Sequence, residues 1–245
     1  MPSSNTRTLP FKFSKKVARL ALLLAVMLPG YAISQSAQAE DEALKSDINA
    51  YYESHLSELF LWFHQNPELG FLEQETAARL TAELRALGIE VTEGVGGTGL
   101  VGIIENGSGP LVLVRADMDG LPILEDSGLS YASRNRQINL GGEDVPVMHA
   151  CGHDMHMTSL VGTAKMLLEN TDKWSGTVML VGQPAEEIIS GAKAMLEDGL
   201  YQRFGVPDYA IGLHVSSGAP SGLVTVREGI VQSSSDSVDI KVRGI

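Results

Sequence analysis

Hydrophobic positions in the first half of the chain recur first at helical and then at strand-like spacing. Apolar residues lie on one helical face over 41–66, which Pro67 ends, and again over 73–87, which Gly88 ends. Three short apolar runs follow, and each predicts a strand: 89–91, 100–104 and 111–114. The last run is apolar throughout, as expected for a central strand that is covered on both faces.

The second half of the chain continues this alternation after a long polar stretch. Residues 126–147 show no periodicity, and a loop of that length in a compact domain is usually functional. Helices are predicted at about 155–168 and at 192–196, and strands at 177–181 and 209–213. Alternating strands and helices predict an α/β fold, a sheet with helices on both faces.

The first 39 residues have the composition of a secretory signal peptide. Five Lys and Arg, with no acidic residue, precede an apolar run of nine residues at 20–28. Ala37, Gln38 and Ala39 then form the A-x-A pattern, which predicts cleavage after about Ala39. A membrane anchor is the alternative, but nine residues are too few for a hydrocarbon core of ~30 Å. We therefore expect an exported protein, periplasmic or secreted.

The net charge of residues 40–245 indicates which classes of binding partner to exclude. Without residues 1–39, 13 Lys and Arg stand against 30 Asp and Glu, which gives a formal charge of −17. Such an acidic surface repels phosphate backbones and anionic lipid heads. We therefore expect no nucleic acid partner and, after removal of the signal, no membrane partner.

Four polar segments share one placement, each at the C-terminal end of an apolar strand or at the start of a helix. The carboxyl ends of strands form the ligand crevice of an open α/β sheet, so we expect these segments to meet. The segments are 115–119, 151–154, 184–187 and 212–214.

One of these segments carries a cysteine and a histidine. Cys151, the single cysteine of the chain, is two residues from His153 across a glycine. Thiolate and imidazole bind zinc and other first-row metals, and Glu187 and His214 could complete the ligand set. A hydrogen-bonded structural role is the alternative for each residue taken singly. A Cys–His hydrolase is the competing catalytic interpretation, but the spacing suits nucleophilic attack poorly.

The acidic residues of these segments suggest how water could be activated. Because Glu186 and Glu187 are adjacent in a loop, one can bind metal while the other faces a water molecule as general base. Asp117 and Asp119 alternate in direction, and we expect one of them to orient a metal-bound histidine. A loop-capping role is the alternative for each aspartate.

Four further histidines lie outside this candidate ligand set, and three of them can be interpreted from their positions. His156 follows His153 by three residues, on the same face of the predicted helix. We interpret it as a partner of the ligands and not as a ligand. His55 and His64 lie on the first predicted helix, far in sequence from the other segments, and we expect them to be structural.

These segments, in this order, resemble the M20 metallopeptidase family, in its amidohydrolase branch of hippurate-hydrolase-like and auxin-conjugate-hydrolase-like enzymes. The similarity covers about residues 59–245. The motifs that carry it are H-Q-N-P-E-L-G-F at 64–71, G-T-G at 97–99, R-A-D-M-D-G-L-P-I at 115–123, M-H-A-C-G-H-D-M-H at 148–156, G-Q-P-A-E-E at 182–187 and G-L-H-V at 212–215.

The resemblance implies a zinc-exopeptidase-like catalytic domain, in which the α/β sheet is mixed and has helices on both faces. It also implies two divalent metal ions, which could be zinc, manganese, cobalt or nickel. It implies Glu186 as general base and then proton donor to the leaving amine, and Asp119 as the residue that orients the metal site. The implied substrates are small N-acyl amino acids or short peptides. A metallodipeptidase and a metal-retaining binding protein without turnover are the alternatives, although a binder needs no base such as Glu186. The implied metal ligands are Cys151, His153, Glu187 and His214.

The resemblance also implies a second domain, a lid through which the parent protein would form a homodimer. The alternation at 236–243 predicts the first strand of that lid. The family's last histidine ligand would lie beyond Ile245, so we expect a truncated chain that binds metal weakly and is inactive, with an active full-length parent. The expected domains are the signal peptide 1–39, the catalytic domain 40–232 and the incomplete lid domain 233–245.

Overall fold

The computed structural model describes residues 41–226, 228–229, 240 and 242–244 of the chain. The predicted signal peptide lies outside these residues, as does most of the strand predicted at 236–243. Within the described part, no helix is both long enough and apolar enough to cross a membrane.

The first helical pattern forms a nearly continuous helical stretch. Residues 41–51 form α1, a π-helical turn follows at Tyr52–Leu56, and α2 covers Ser57–Gln65. Leu59 and Phe63 are completely buried on its inner face. The amphipathic pattern predicted this stretch, but it did not predict the π-turn, which shifts the helical register by about one residue.

The second helical pattern forms α3, which covers Gln74–Ala86. Leu80 and Leu84 are fully buried where α3 packs against the sheet. Gly88 follows the helix with φ +83°, a left-handed conformation that glycine adopts without steric cost. This is the stop that the sequence predicted.

A five-stranded mixed sheet forms the centre of the fold. Its strand order is β1-β2-β6-β3-β7, with β3 parallel to both β6 and β7, and β2 antiparallel to both β1 and β6. The strands of the described part are, in chain order, β1 (Glu90–Val95), β2 (Gly99–Asn106), β3 (Leu111–Asp117), the short pair β4 (Arg136–Ile138) and β5 (Asp144–Pro146), β6 (Gly176–Gln183) and β7 (Tyr209–Gly212).

Helices cover both faces of this sheet. α4 (His153–Glu169) packs with α2 and α3 on one face, and a 3-10 turn follows it at Thr171–Lys173. α5 (Gly191–Glu197) and α6 (Leu200–Phe204) lie on the other face. Alternate residues of β6 enter these two cores, as the pleat of a strand requires. The predicted α/β fold, with a mixed sheet and helices on both faces, is confirmed.

The sequence predicted an irregular loop at 126–147, but part of this segment forms regular structure. β4 and β5 pair as an antiparallel hairpin inside it, with Gln137 opposite Val145. Each strand has only three residues, half of the six are polar and none is buried, so the strands are too short to carry an apolar alternation that could predict them.

The sheet brings three strand ends to one edge. Asp117 at the end of β3 is paired with Gln183 at the end of β6, and Arg115 is paired with Gly212 at the end of β7. Because these three strands are parallel, the segments that follow them leave the sheet side by side.

Candidate metal centre

The sharp turn before α4 places Cys151 and His153 at this edge of the sheet. Gly152 has φ +83°, and α4 begins at the next residue, His153. An added Cβ at Gly152 would clash with Cγ2 of Val215, and L side chains rarely adopt this φ, so a larger residue would be strained there. His153 is completely buried, while Cys151 is half-buried.

His153 presents one free ring nitrogen to the centre of the cluster. Its Nδ1 donates a hydrogen bond to the carbonyl oxygen of Asp119, 2.7 Å away, which leaves Nε2 as the atom with a lone pair. Nε2 is buried and has no hydrogen-bond partner among the described residues. Oε2 of Glu186 and Oε1 of Glu187 each lie 3.8 Å from it.

Two buried carboxylates fix the turn that carries Glu186 and Glu187. Oδ1 of Asp119 accepts a hydrogen bond from the amide of Glu186, and Oδ2 accepts one from the amide of Glu187, each at 3.0 Å. Glu73 accepts a third from the amide of Ala185, at 2.7 Å. Ala185 has φ +47°, a strained conformation that these bonds hold in place.

Cys151 and His214 complete the group on the side of β7. Sγ of Cys151 lies 3.4 Å from Nε2 of His214. Potential ligand atoms of Cys151, His153 and His214 all lie within 4.8 Å of one another, and the same holds for His153, Glu186 and Glu187. The structure therefore brings all the expected ligands together, with His153 common to both groups.

Asp117 and His156 form a hydrogen-bonded pair next to His153. Nε2 of His156 accepts a hydrogen bond from the amide of Val215 at 2.9 Å, so Nδ1 is the nitrogen that donates to Oδ1 of Asp117 at 2.6 Å. Both nitrogens of His156 are thus engaged, in agreement with its interpretation as a partner of the ligands. Oδ2 of Asp117 lies 3.4 Å from Nε2 of His153. The sequence left the division of roles between Asp117 and Asp119 open.

The electrostatics of the cluster favour a bound cation. Burial, followed by the negative charges of Glu187 and Glu186, raises the pKa of Cys151 to about 12. Burial also raises the pKa of Glu187. Burial lowers the pKa of His153, but the hydrogen bond to Asp119 and the charge of Asp117 outweigh that effect and raise it. A bound metal ion would lower the pKa values of Cys151 and Glu187, because it favours thiolate and carboxylate over their protonated forms.

The donor set fits a first-row transition metal. Buried atoms without a hydrogen-bond partner in the described part include Nε2 of His153 and Oε1 of Glu187, which face each other. Nitrogen, carboxylate oxygen and sulfur are the donors that zinc and its neighbours accept. A cation among these atoms would satisfy them together.

Sequence reasoning did not connect His64 with this cluster. Nδ1 of His64 contacts Oδ2 of Asp154 at 2.7 Å, and its Nε2 contacts Oε1 of Glu125 at 3.2 Å. Asp154 follows His153 directly, so His64 lies beside the start of α4. The only signal was the position of the H-Q-N-P motif at the end of the first predicted helix.

A second histidine beside the cluster, His149, was not assigned any role from the sequence. It is buried, and neither of its ring nitrogens has a hydrogen-bond partner among the residues described. Burial lowers the pKa of His149 to about 4, so its ring is neutral near pH 7. Its ring centroid lies 6.4 Å from that of His153.

Known proteins match both the sequence and the fold. The chain is 42% identical over 207 residues to thermostable carboxypeptidase 2 of Saccharolobus solfataricus, a match that covers 83% of this chain and 49% of the relative. It is 42% identical over 182 residues to hippurate hydrolase of Campylobacter jejuni, which covers 74% of this chain and 44% of that enzyme. The chain thus spans about half the length of the curated relatives that it matches.

A solved structure and a family profile agree with these relatives. The YxeP protein of Bacillus subtilis, described as a dinuclear metal-binding peptidase of the M20 family, superposes with a TM-score of 0.65 at 35% identity. That match covers 74% of this chain and 48% of YxeP. The sequence profile of peptidase family M20/M25/M40 matches residues 113–243, which include the second half of the sheet and the expected metal ligands. The chain therefore belongs to peptidase family M20/M25/M40.

Proposed function

We propose that the full-length protein is a metal-dependent hydrolase that cleaves the amide bond of small N-acyl amino acids. The observation that carries this proposal is Nε2 of His153, which has no hydrogen-bond partner in the described part of the chain and lies near the carboxylates of Glu186 and Glu187. The relatives named hippurate hydrolase and carboxypeptidase support an amide substrate. The proposed ligands of two divalent metal ions are Cys151, His153, Glu187 and His214.

The two glutamates differ in exposure, and this difference suggests their roles. The side chain of Glu187 is 17% exposed, whereas that of Glu186 is 37% exposed. The deeper carboxylate suits a metal ligand, and the more exposed one can reach a substrate. We therefore assign Glu186 as general base and Glu187 as ligand.

The proposed reaction transfers one proton through Glu186. Bound divalent metals supply Lewis acidity, which polarises a carbonyl and makes water easier to deprotonate. Glu186 accepts a proton from a water molecule while the oxygen of that water attacks the carbonyl carbon. When the C–N bond breaks, Glu186 delivers that proton to the leaving nitrogen, so that a carboxylic acid and an amine are released. Asp119 keeps the base in position through the amide of Glu186.

A metallocarboxypeptidase or dipeptidase is the second candidate function. It is favoured by the relative named thermostable carboxypeptidase 2, which matches more of this chain than the hippurate hydrolase does. The two candidates share the proposed centre and differ in the group on the acyl side of the scissile bond. Rates on N-acyl amino acids and on dipeptides with the same C-terminal residue separate them.

The test uses the full-length protein, the variant Glu186→Gln, and the control Glu197→Gln on the exposed face of α5. We expect about two metal ions per chain and amide hydrolysis in the parent and the control. Glu186→Gln should keep its metal while its kcat falls on the order of 100-fold or more, because the proton acceptor is lost. Metal binding without hydrolysis of any of the N-acyl amino acids or dipeptides would instead favour a binding protein.

We also propose export, with cleavage after about Ala39. The support is the order of basic, apolar and small residues over 1–39. Sequencing of the N-terminus of the protein purified from its producing cell tests this. A mature form that begins near Glu40 agrees with the proposal, and an intact Met1 in the purified protein contradicts it.

A further inference from the structure

A cavity of about 400 Å³ opens directly beside the candidate metal centre. Its lining includes Asp119 and Glu187 as well as the tip of the β4–β5 hairpin, at 139–141. A volume of this size holds a small organic group, such as an aromatic ring or a short alkyl chain. Because Glu187 is a proposed ligand, a substrate bound at the centre would have this cavity next to its scissile bond.

The chemistry of the cavity wall selects which part of a substrate fits. The charged residues of the wall are carboxylates, and no lysine, arginine or histidine lines it in the described part of the chain. The wall therefore offers no cationic side chain to pair with the carboxylate of an amino acid, whereas an uncharged acyl group needs no such partner. The apolar residues of the wall are Leu69, Leu121, Pro122, Leu140 and Ile188.

The hairpin that closes the cavity is held firmly to the domain. Oε1 of Gln137 accepts a hydrogen bond from the amide of Leu69 at 2.7 Å, and Nε2 of the same side chain donates to the carbonyl of Leu72 at 3.2 Å. Nδ2 of Asn135 donates to the carbonyl of Pro67 at 2.8 Å. These bonds fix the hairpin to the segment 67–72, of which Leu69 and Gly70 line the cavity.

The tip of the hairpin is ordered by its own side chain. Oδ1 of Asn139 accepts hydrogen bonds from the amides of Gly141 and Glu143, each at 2.9 Å. This turn holds Leu140 in the cavity lining at 68% exposure, and Ile188, which also lines the cavity, is 51% exposed. Two large apolar side chains held open to water at a cavity mouth gain free energy when an apolar group covers them.

We propose that this cavity binds the acyl group of the substrate, that the preferred acyl groups are bulky and apolar, and that Leu140 and Ile188 set this preference. The inference rests on the proposed amide hydrolysis and adds to it the chemical class of the acyl half. The carboxylate of the amino-acid half lies away from this cavity.

The test measures kcat/KM of the full-length enzyme on acylated forms of a single amino acid. The acyl series is acetyl, butanoyl, hexanoyl and benzoyl. We expect kcat/KM to rise by about fourfold per buried methylene and to be high for benzoyl. Leu140→Ala should lower kcat/KM for hexanoyl and benzoyl substrates by about tenfold, mostly through KM, and for the acetyl substrate by less than about twofold.

Leu196→Ala is the matched control, because Leu196 is an exposed leucine on α5 that does not line the cavity. It should leave the whole series unchanged. Hydrolysis that ignores acyl size, or a Leu140→Ala variant that lowers every rate equally, would overturn the inference while the proposed hydrolase function stands. An enzyme that holds metal and hydrolyses no member of the series would remove the proposed function and the inference with it.

Discussion

Asp119 joins more parts of the candidate centre than any single ligand does. Its carbonyl oxygen fixes the ring of His153, and its carboxylate fixes the amides of Glu186 and Glu187. Asparagine at this position can accept only one of the two amide hydrogen bonds, because its Nδ2 is a donor. The turn that carries both glutamates should then lose its alignment with the histidine.

We therefore expect Asp119→Asn to weaken metal binding by about 10-fold to 100-fold in the full-length protein. Competition with a chromogenic chelator measures this affinity. Asp126→Asn, an exposed aspartate a few residues further along the same segment, is the control and should bind metal as the parent does. An unchanged affinity in Asp119→Asn would mean that the glutamate turn is held by its other contacts.

His64 should make the stability of the domain depend on pH. Its hydrogen bond to Asp154 raises its pKa above the ordinary 6.5, against the opposing effect of burial, and Glu125 adds to the rise. A raised pKa in the folded state means that protonation stabilises the fold. This contribution is complete below about pH 6.5 and is lost as the pH rises through the folded-state pKa.

The measurement is the free energy of unfolding of the parent and of His64→Gln, from urea titrations in a chelator between about pH 5.5 and about pH 9. The parent should exceed the variant most at the acidic end, and the difference should shrink as the pH rises. A difference that is constant across this range would show that the charge of His64 does not stabilise the fold.

The motifs predicted which residue types meet, but they did not predict the role of each. Asp117 and Asp119 share one alternating pattern, and only the hydrogen bonds show that one supports His156 while the other supports the glutamate turn. The role of His156 depends on the amide of Val215, which fixes its tautomer. Contacts such as that of His64 with Asp154, 90 residues apart, leave no local trace in a single sequence.

At the level of elements, strong periodicity predicted most helices and strands and failed where the pattern is weak. The hairpin of β4 and β5 was missed because strands of three residues are too short to show the apolar alternation that marks a half-buried strand. The order of the sheet was not predictable from spacing either. β6 lies between β2 and β3 although some 60 residues separate it from β3 along the chain, and such pairing reflects packing of the whole domain.

The turn between β6 and α5 depends on a glycine at its end. A Cβ on Gly191 would lie only 1.6 Å from the carbonyl oxygen of Pro184, so the backbone would have to move. Gly191→Ala should therefore destabilise the domain by about 1–3 kcal/mol and disturb Glu186 and Glu187. Thermal unfolding measures the loss. Gly218→Ala is the control, because its nearest neighbour would be at 3.6 Å, and an equal loss in both variants would contradict this explanation.

At the scale of the whole molecule, the sheet ends in an edge strand, β7, that has no second neighbour in the described part of the chain. β7 pairs only with β3 there, and its side chains are exposed, with Tyr209 at 64% and Ile211 at 56%. An apolar strand with a free edge is a template for pairing with another chain. The matches cover only 49% and 44% of the two curated relatives, so a parent of their length would have the residues to cover the strand.

We expect the chain without its first 39 residues to self-associate through β7 as its concentration rises. Ile211→Lys places a charge on that strand and removes apolar contact, so association should need on the order of tenfold more protein, which corresponds to about 1.4 kcal/mol. Sedimentation velocity over a concentration series measures this shift. Val206→Lys is the control, because Val206 is 72% exposed and precedes the strand. If both variants shift association equally, net charge and not the open edge of β7 controls it.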